Sequence, residues 1–547
     1  MKWQRMSFMI AMALGVMLAA ADINNNNDTT AGSNASTTQP PREQAVSPAT
    51  SPSQAEQQLT GVTGCGPRIR KSWDMLTTPE KAVYIQAIQR SMDDGLYIKF
   101  VEIHTESMTT MEAHQTCMFI YWHRMLLLAF ENMLRSYGGA ASCITVPYWN
   151  YVDHNAQFLV GNCGSMEACA PILRELGGST RGNRGRGVTI NGTPITGNVC
   201  VNQPPLDHFC ESSEVSGPMC ARCVPRGAWG TTPFPPTTSV GSLMRQLFAT
   251  QTIADVANNI EQGVHNTMHN SLAGVMGNLE APADPIFWSH HATLDLLHSI
   301  YYHCQVGNTV PLTIQQKLAN PRQFVRCARR TPVPGQLDRN VLLPESFVMA
   351  RSGEQGTPSL SAFDPRNVLA PFFAGLPTEY LSYSDVRDLG DLSYNYEITG
   401  LLATMFTSCA NEQLLLGVPG AAITNTRREL TQKIPKSSML EAVVHPQDSS
   451  SQEWFQAALE AALKATKANG TSTTSLSDAL YEVEKMTCMF YDECRGKVLD
   501  FSVNFQVNFQ VNASTPCRQV IDAIGRGEDA IRVPDWKNVM LAHLRCD

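Results

Sequence analysis

The stretch HNTMHNSLAGVMGNLEAPADPIFWSHH, residues 265–291, contains four of the chain's thirteen histidines. His265 and His269 are four residues apart, a spacing that places two imidazoles on one helix face, where they can bind one metal ion. Alone, the pair is weak evidence, because ordinary core or surface histidines are the more common explanation of this spacing. A zinc protease of the HExxH type would need glutamate after the first histidine, but Asn266 stands there. The stretch therefore predicts a mainly helical fold and raises the question of which metal it binds.

A second group of histidines lies upstream, at His104, His114 and His123. His123 begins a strongly apolar helical stretch, and burying an imidazole without a partner there would be costly. Metal binding offsets that cost. Two groups of three neutral imidazoles suit two copper ions with three nitrogens each, although zinc also accepts three histidines. The number of ligands alone leaves this choice open.

The two stretches resemble the two copper signatures of the tyrosinase family, the type 3 copper proteins. The first signature is matched by His114, Phe119, Trp122, His123, Arg124 and Glu131. The second is matched by Asp284, Pro285, Phe287, His290, His291 and Asp295. His-Asn-x-x-His at 265–269, VPYWNY at 146–151 and RDLGDLSYNY at 387–396 also fit the family pattern. The resemblance covers about residues 62–400.

This resemblance implies a dinuclear site with two copper ions and O2 as co-substrate. The first copper would be held by His104, His114 and His123, and the second by His265, His269 and His291. His290 would lie beside the site without binding copper. Glu261 and Asn266 occupy the places of the pair that, in members that hydroxylate monophenols, is thought to position a water that deprotonates the phenol.

The resemblance also bears on a cysteine near the site. Many members link the second histidine of the first site to a cysteine through a thioether, and in fungal members that cysteine lies two residues before the histidine. Glu112 stands at that position here. Cys117 is more simply a buried thiol or half of a disulfide, so we expect no thioether.

The function implied is a dicopper oxidase that hydroxylates monophenols at the ortho position and oxidises o-diphenols to quinones. One alternative is a catechol oxidase without the first activity. An alternative of another class is an oxygen carrier like mollusc haemocyanin, which shares these motifs. A zinc protein of unknown role ranks last, because both copper signatures are present. The expected partners are small phenolic or catecholic substrates, and the oligomeric state is left open.

Composition narrows the class of protein further. Of 547 residues, 43% are hydrophobic and 16% charged, and the net charge is −8, which makes a nucleic-acid partner unlikely. Residues 1–21 resemble a signal peptide, residues 22–60 are a polar low-complexity segment expected to be disordered, and no later segment reaches membrane-spanning length. The sixteen cysteines allow complete pairing. A secreted, disulfide-bonded protein is the expectation.

The expected fold class is mainly α. Residues 62–400 are predicted to form a four-helix-bundle dicopper domain, with a long disulfide-stapled loop at about 161–240. Residues 401–547 are predicted to be a smaller, mixed or β-rich domain, because FSVNFQVNFQV at 501–511 alternates apolar and polar residues as a strand does. Its position resembles that of a lid that keeps many family members latent. CMFYDEC at 488–494, with Phe490 and Tyr491, is a candidate lid loop; an ordinary disulfide turn between its two cysteines is the alternative.

Overall fold

The computed structural model describes residues 64–331, 337–353, 358–409, 411, 439–445, 450–468 and 476–546. The expected signal peptide and low-complexity segment lie outside these residues. All described residues belong to one unit, Pro52–Asp547. Within them, no helix has the length and apolar character needed to span a bilayer.

Helices dominate the described chain, as the sequence predicts. The N-terminal helices are α1 (Thr78–Asp93), α2 (Leu96–Thr105), α3 (Ser107–Ala113), α4 (Phe119–Arg135), α5 (Tyr151–Leu159), α6 (Met166–Cys169) and α7 (Pro171–Glu175). The central helices are α8 (Val240–Phe248), α9 (Ile253–Ile260), α10 (Asn266–Leu272), α11 (Ile286–Gln305), α12 (Ile314–Leu318), α13 (Ala370–Phe373) and α14 (Gly400–Ser408). The C-terminal helices are α15 (Ser450–Ala468), α16 (Leu476–Cys494), α17 (Val503–Phe509), α18 (Pro516–Gly525) and α19 (Trp536–Leu541).

The strands are short and form small sheets around the helices. They are β1 (Arg68–Arg70), β2 (Gly182–Arg184), β3 (Val188–Ile190), β4 (Thr193–Ile195), β5 (Val199–Val201), β6 (Val224–Arg226), β7 (Cys327–Arg330), β8 (Leu337–Leu342), β9 (Arg351–Ser352), β10 (Leu360–Ser361), β11 (Tyr394–Thr399) and β12 (Val443–His445). In the sheet β1-β11-β12 both pairings are parallel, with Arg70 opposite Tyr396. The sheet β2-β5-β6 and the pairs β3-β4, β7-β8 and β9-β10 are antiparallel.

Helices α4 and α11 lie at the centre of the core. Nearly every residue of α4 is buried, as expected for a helix that is apolar on almost all sides. The Phe130 ring of α4 stacks on the Trp288 ring of α11, with centroids 3.6 Å apart and planes 2° from parallel. This contact fixes the two helices that carry His123 and His291.

Buried ion pairs connect these helices to the small sheet. The Nε atom of Arg124 on α4 lies 2.6 Å from a carboxylate oxygen of Asp295 on α11. Arg70 of β1 lies 3.2 Å from the same carboxylate and 3.1 Å from Glu131 of α4. The hydroxyl of Tyr394 on β11 donates to Asp295 as well, at 2.6 Å. The cluster therefore ties α4, α11, β1 and β11 together.

All sixteen cysteines form disulfides, as their even number allows. Three disulfides, Cys163–Cys169, Cys200–Cys223 and Cys210–Cys220, lie within the predicted stapled loop. The other five are Cys65–Cys143, Cys117–Cys327, Cys304–Cys409, Cys488–Cys517 and Cys494–Cys546. Cys117 is thus half of a disulfide, which confirms that interpretation and leaves no thiol for a thioether.

The C-terminal part differs from the prediction. In the described part of 401–547, six helices accompany the single strand β12, so the β-rich alternative is wrong for these residues. Cys488 and Cys494 bond to separate partners and do not close a turn. Phe490 and Tyr491 are buried in α16, so the candidate lid loop is wrong as well.

The predicted strand at 501–511 is instead helix α17. Phe501, Phe505 and Phe509 are four residues apart, so a helix brings them to one face, where adjacent rings stack at 5.0 and 4.4 Å. Val503 and Val507 face outward and are 73% and 69% exposed. Apolar and polar residues do alternate here, but the four-residue spacing of the phenylalanines fits a helix equally well. The helix is the structure that buries the aromatic face.

Candidate metal centre

The structure brings the predicted histidines together in two buried groups. Possible ligand atoms of His104, His114 and His123 lie within 4.8 Å of one another, and the same holds for His265, His269, His290 and His291. The groups adjoin, since the His123 and His291 rings stack with centroids 4.2 Å apart. All seven side chains are buried.

Each ligand candidate is placed by a defined element. His104 lies near the end of α2, His123 in the first turn of α4, and His269 and His291 on α10 and α11. His114 follows α3 in extended conformation, with φ −127° and ψ 145°. His265 closes a π-helical turn, Glu261–His265.

The π-helical turn depends on one glycine. Gly263 has φ −85° and ψ −108°, which is not a helical conformation. A β-carbon at this position would overlap the side-chain amide of Gln246, and that amide oxygen accepts the Val264 N–H at 3.0 Å. The Gln246 side chain therefore packs directly against the backbone of this turn, four residues or fewer from His265.

Five of the six predicted ligands have a fixed ring orientation. The Nδ1 atoms of His104, His123 and His269 lie 2.6, 2.8 and 2.6 Å from the backbone carbonyls of Leu279, Phe119 and Met276. A carbonyl accepts only, so Nδ1 carries the proton in these rings. His114 Nδ1 lies 3.2 Å from the Thr110 hydroxyl, and His265 Nδ1 lies 2.8 Å from the Asn266 side-chain oxygen.

The Nε2 atoms of all six predicted ligands are buried and have no hydrogen-bond partner. Buried unpaired nitrogens are costly, so convergence of six of them indicates a ligand that the protein atoms do not supply. Burial lowers the pKa of His104 to about 3 and of His269 to about 4, and it lowers the pKa of the other four well below 6.5. The rings are therefore neutral at neutral pH, which is the form that binds metal. This all-nitrogen set fits two copper ions.

His290 also lies in the second group, and neither of its ring nitrogens has a hydrogen-bond partner. Its ring centroid is 5.7 Å from that of His265 and 5.1 Å from that of His269. His291 lies at similar distances from these two rings, 5.2 and 5.7 Å, but it also stacks on His123 of the first group. The assignment of His291 as the ligand stays a prediction, with the stacking on His123 in its favour.

The two predicted catalytic residues are both buried beside the histidines. The backbone N–H of Gln115, next to His114, donates to both Glu261 carboxylate oxygens at 2.7 and 2.9 Å. Burial raises the pKa of Glu261 to about 8 although this hydrogen bond opposes the shift. Asn266 accepts from His265 and donates to the Gln262 side-chain oxygen at 3.2 Å. Glu261 thus contacts the loop of the first group, and Asn266 contacts the second.

Phe509 of α17 covers the site, a residue that the sequence analysis assigned to a strand and not to the site. Its ring centroid lies 5.4, 6.0 and 6.3 Å from those of His269, His114 and His265. The Gln115 side-chain amide donates to the Phe509 and Gln510 carbonyls at 2.7 and 3.1 Å, which anchors the end of α17 there. The four-residue spacing of Phe501, Phe505 and Phe509 is the sequence signal that could have identified this face.

Comparison with known proteins agrees with this geometry. Residues 94–303 match the family model described as the common central domain of tyrosinase. The tyrosinase-like protein phomQ2 of Diaporthe leptostromiformis is 27% identical over 250 residues, which are 42% of this chain and 57% of that protein. A tyrosinase of Streptomyces antibioticus is 28% identical over 247 residues, or 42% of this chain and 81% of that protein.

Among solved structures, a polyphenol oxidase mutant from Thermothelomyces thermophila aligns with a TM-score of 0.33 at 17% identity, over 61% of this chain and 89% of that one. The family match at residues 94–303 includes all six predicted ligands. It also includes Glu261 and Asn266. Residues 94–303 therefore match the tyrosinase central domain, and both histidine groups lie within that match.

Proposed function

We propose that this protein is a type 3 copper oxidase that uses O2 to hydroxylate monophenols and to oxidise o-diphenols to o-quinones. The observation that carries the proposal is the pair of adjoining histidine groups with unpaired Nε2 atoms. His104, His114 and His123 would hold one copper, and His265, His269 and His291 the other. Two bound copper ions would supply the redox chemistry with O2. The four helices α2, α4, α10 and α11 are the elements we assign to the predicted bundle.

The chain's own residues orient the ligands and handle the proton. The carbonyls and side chains bonded to Nδ1 hold Nε2 in one direction in five of the six predicted ligands, all except His291, which pre-arranges the site. Glu261 is the group we assign to accept the phenol proton through a water positioned with Asn266. A phenol with a pKa of about 10 is mostly protonated at neutral pH, so such a base assists the hydroxylation but is not needed for a catechol.

The test is oxygen uptake by the copper-loaded protein, with a monophenol and an o-diphenol assayed separately, before and after limited proteolysis of the C-terminal region. Uptake with both substrates supports the proposal. Uptake with the diphenol alone makes the protein a catechol oxidase and overturns the role of Glu261. Reversible O2 binding without turnover of either substrate favours the oxygen carrier.

We further propose that the C-terminal region is a lid that keeps the enzyme latent, with Phe509 as the side chain that fills the substrate position. An aromatic ring beside three of the histidines occupies the space that a phenol ring needs. In the full chain, Phe509→Ala is expected to raise diphenol oxidation before proteolysis by about tenfold or more, because it removes a well-packed ring from the pocket. Phe501→Ala is the matched control, because Phe501 is the residue of the stacked phenylalanine row that is farthest from Phe509 in sequence. Equal activity of Phe509→Ala and wild type would contradict the lid.

We also propose that the protein is secreted. Residues 1–21 and the complete pairing of the cysteines support this, because disulfides persist in oxidising compartments. Amino-terminal sequencing of the protein recovered from the culture medium tests it, and retention of the full chain inside the cell would contradict it.

A further inference from the structure

Arg330, at the end of β7, is hydrogen-bonded to Gln510, the residue that follows Phe509. Its Nη2 atom donates to the Gln510 side-chain oxygen at 2.7 Å. Gln510 directly follows Phe509, whose ring lies against the histidines. Phe509 thus places an aromatic ring beside the histidines, and the adjacent Gln510 accepts a hydrogen bond from the Arg330 guanidinium.

The charge of Arg330 lacks a full counter-charge. Arg330 is only 9% exposed, yet none of the ion pairs among the described residues includes it. The neighbouring Arg329, by contrast, is paired with the Glu112 carboxylate. The Gln510 amide oxygen is neutral, so it stabilises the Arg330 cation less than a carboxylate would.

Arg330 also lies close enough to the site to act on it. The Gln115 side-chain amide donates to the Gln510 carbonyl at 3.1 Å, so hydrogen bonds connect Arg330 through Gln510 to Gln115, which adjoins His114. Glu261 is itself held by the backbone N–H of Gln115. The guanidinium therefore lies at the margin of the metal centre and has hydrogen-bonding capacity that Gln510 alone does not use.

We propose that Arg330 is a carboxylate-binding subsite and that Phe509 and Gln510 imitate a substrate that combines an aromatic ring with an anionic tail. The substrate class is then phenols and catechols that bear a carboxylate on a side chain. A guanidinium binds a carboxylate through two parallel hydrogen bonds, which no neutral tail reproduces. The inference rests on the proposed oxidase function and narrows its substrate class.

The experiment uses the full copper-loaded chain with Phe509→Ala and Gln510→Gly, which remove the two imitating side chains. Glycine suits position 510, where φ is +53°. The substrates are 3-(3,4-dihydroxyphenyl)propanoate and its methyl ester, which share the catechol ring and differ in charge. Arg330→Gln, added to this background, is expected to raise KM for the acid by about tenfold or more and to leave kcat and the KM for the ester unchanged.

Two further variants control for charge and structure. Arg330→Lys keeps the cation and should restore part of the preference for the acid. Arg326→Gln removes an exposed positive charge from the same segment and should leave the KM for both substrates unchanged. Calorimetric titration of the acid under nitrogen, with and without Arg330→Gln, measures binding without turnover.

The outcomes separate the two proposals. An equal change of KM for acid and ester in Arg330→Gln, or an unchanged KM and binding of the acid, overturns the carboxylate subsite. Oxidation of the ester in either case leaves the oxidase function standing. If neither catechol is oxidised even after limited proteolysis, the oxidase function fails, and the titration alone then decides whether Arg330 binds the acid.

Discussion

At the scale of single residues, the chemistry of the site depends on which nitrogen of each imidazole is free. Backbone carbonyls take up Nδ1 of His104, His123 and His269, so only Nε2 can bind a metal. His290 and His291 have no such partner on either nitrogen. Whether His290 or His291 binds copper therefore has to be inferred from the residues that each ring contacts.

We expect His291→Ala to lose one bound copper ion per chain, and His290→Ala to keep both. The reason is that the His291 ring stacks on His123 of the first group, whereas the His290 ring lies near His265 and His269 of its own group. Copper content after dialysis, measured by atomic absorption on folded protein, checks this. Loss of copper in His290→Ala with retention in His291→Ala would reverse the assignment.

Glu261→Gln should lower monophenol hydroxylation by about 100-fold, the usual contribution of a general base, and leave diphenol oxidation within about twofold of wild type. A glutamine keeps the size of the side chain and its acceptor oxygen for the Gln115 N–H. Oxygen-uptake rates with both substrates on proteolytically activated enzyme provide the comparison. A parallel fall in both activities would show a structural role.

At the scale of elements, the core is organised by a buried acidic group between helices α4 and α11 and the sheet β1-β11-β12. Burial alone would raise the pKa of Asp295, but the charges of Arg124 and Arg70 and the hydroxyls of Tyr394 and Tyr396 lower it below its ordinary value of 3.8. The stabilising contribution of Asp295 is therefore fully present above pH 3.8 and is lost as the pH falls below that value.

We expect Asp295→Asn to lower the free energy of unfolding at neutral pH by about 3–5 kcal/mol, because it leaves Arg124 buried without its carboxylate. The variant should also lose part of the wild-type decline in stability below pH 3.8. Urea unfolding at neutral pH and at several acidic pH values checks both effects. Asp391→Asn, which removes an exposed carboxylate, serves as the control. Identical acid profiles for wild type and Asp295→Asn would contradict the assignment.

At the scale of the whole molecule, disulfides connect segments that are distant in sequence. Cys117–Cys327 joins the loop after His114 to β7 across 210 residues, while Cys163–Cys169 spans only 6. A crosslink over a longer loop restricts the unfolded chain more, so it contributes more stability. The long link also joins the first histidine group to the strand that carries Arg330.

Replacing Cys117 and Cys327 together by alanine should lower the free energy of unfolding by about 3–5 kcal/mol, against about 2 kcal/mol for the same change at Cys163 and Cys169. Chemical unfolding of both double variants under non-reducing conditions measures the difference. An equal loss of stability in the two variants would show that loop length does not set the contribution here.

The histidine ligand candidates, the mainly helical core and the stapled loop were all predictable from the sequence. Metal ligands and copper signatures are local patterns, and apolar helices such as α4 show their burial in their composition. The six histidines could be assigned to two groups from the sequence alone, because each group lies in one stretch of the chain.

The conformation of residues 503–509 and their position over the site depend on tertiary packing. The alternation of apolar and polar residues in this segment is compatible with a strand, and the spacing of the phenylalanines is compatible with a helix. The helix forms because it allows the aromatic face to pack against the histidines. The sequence also does not reveal that Asp295 is the carboxylate partner of Arg124, or where Arg330 lies. Ion pairs join residues far apart along the chain, and their partners are fixed only when the helices and strands pack.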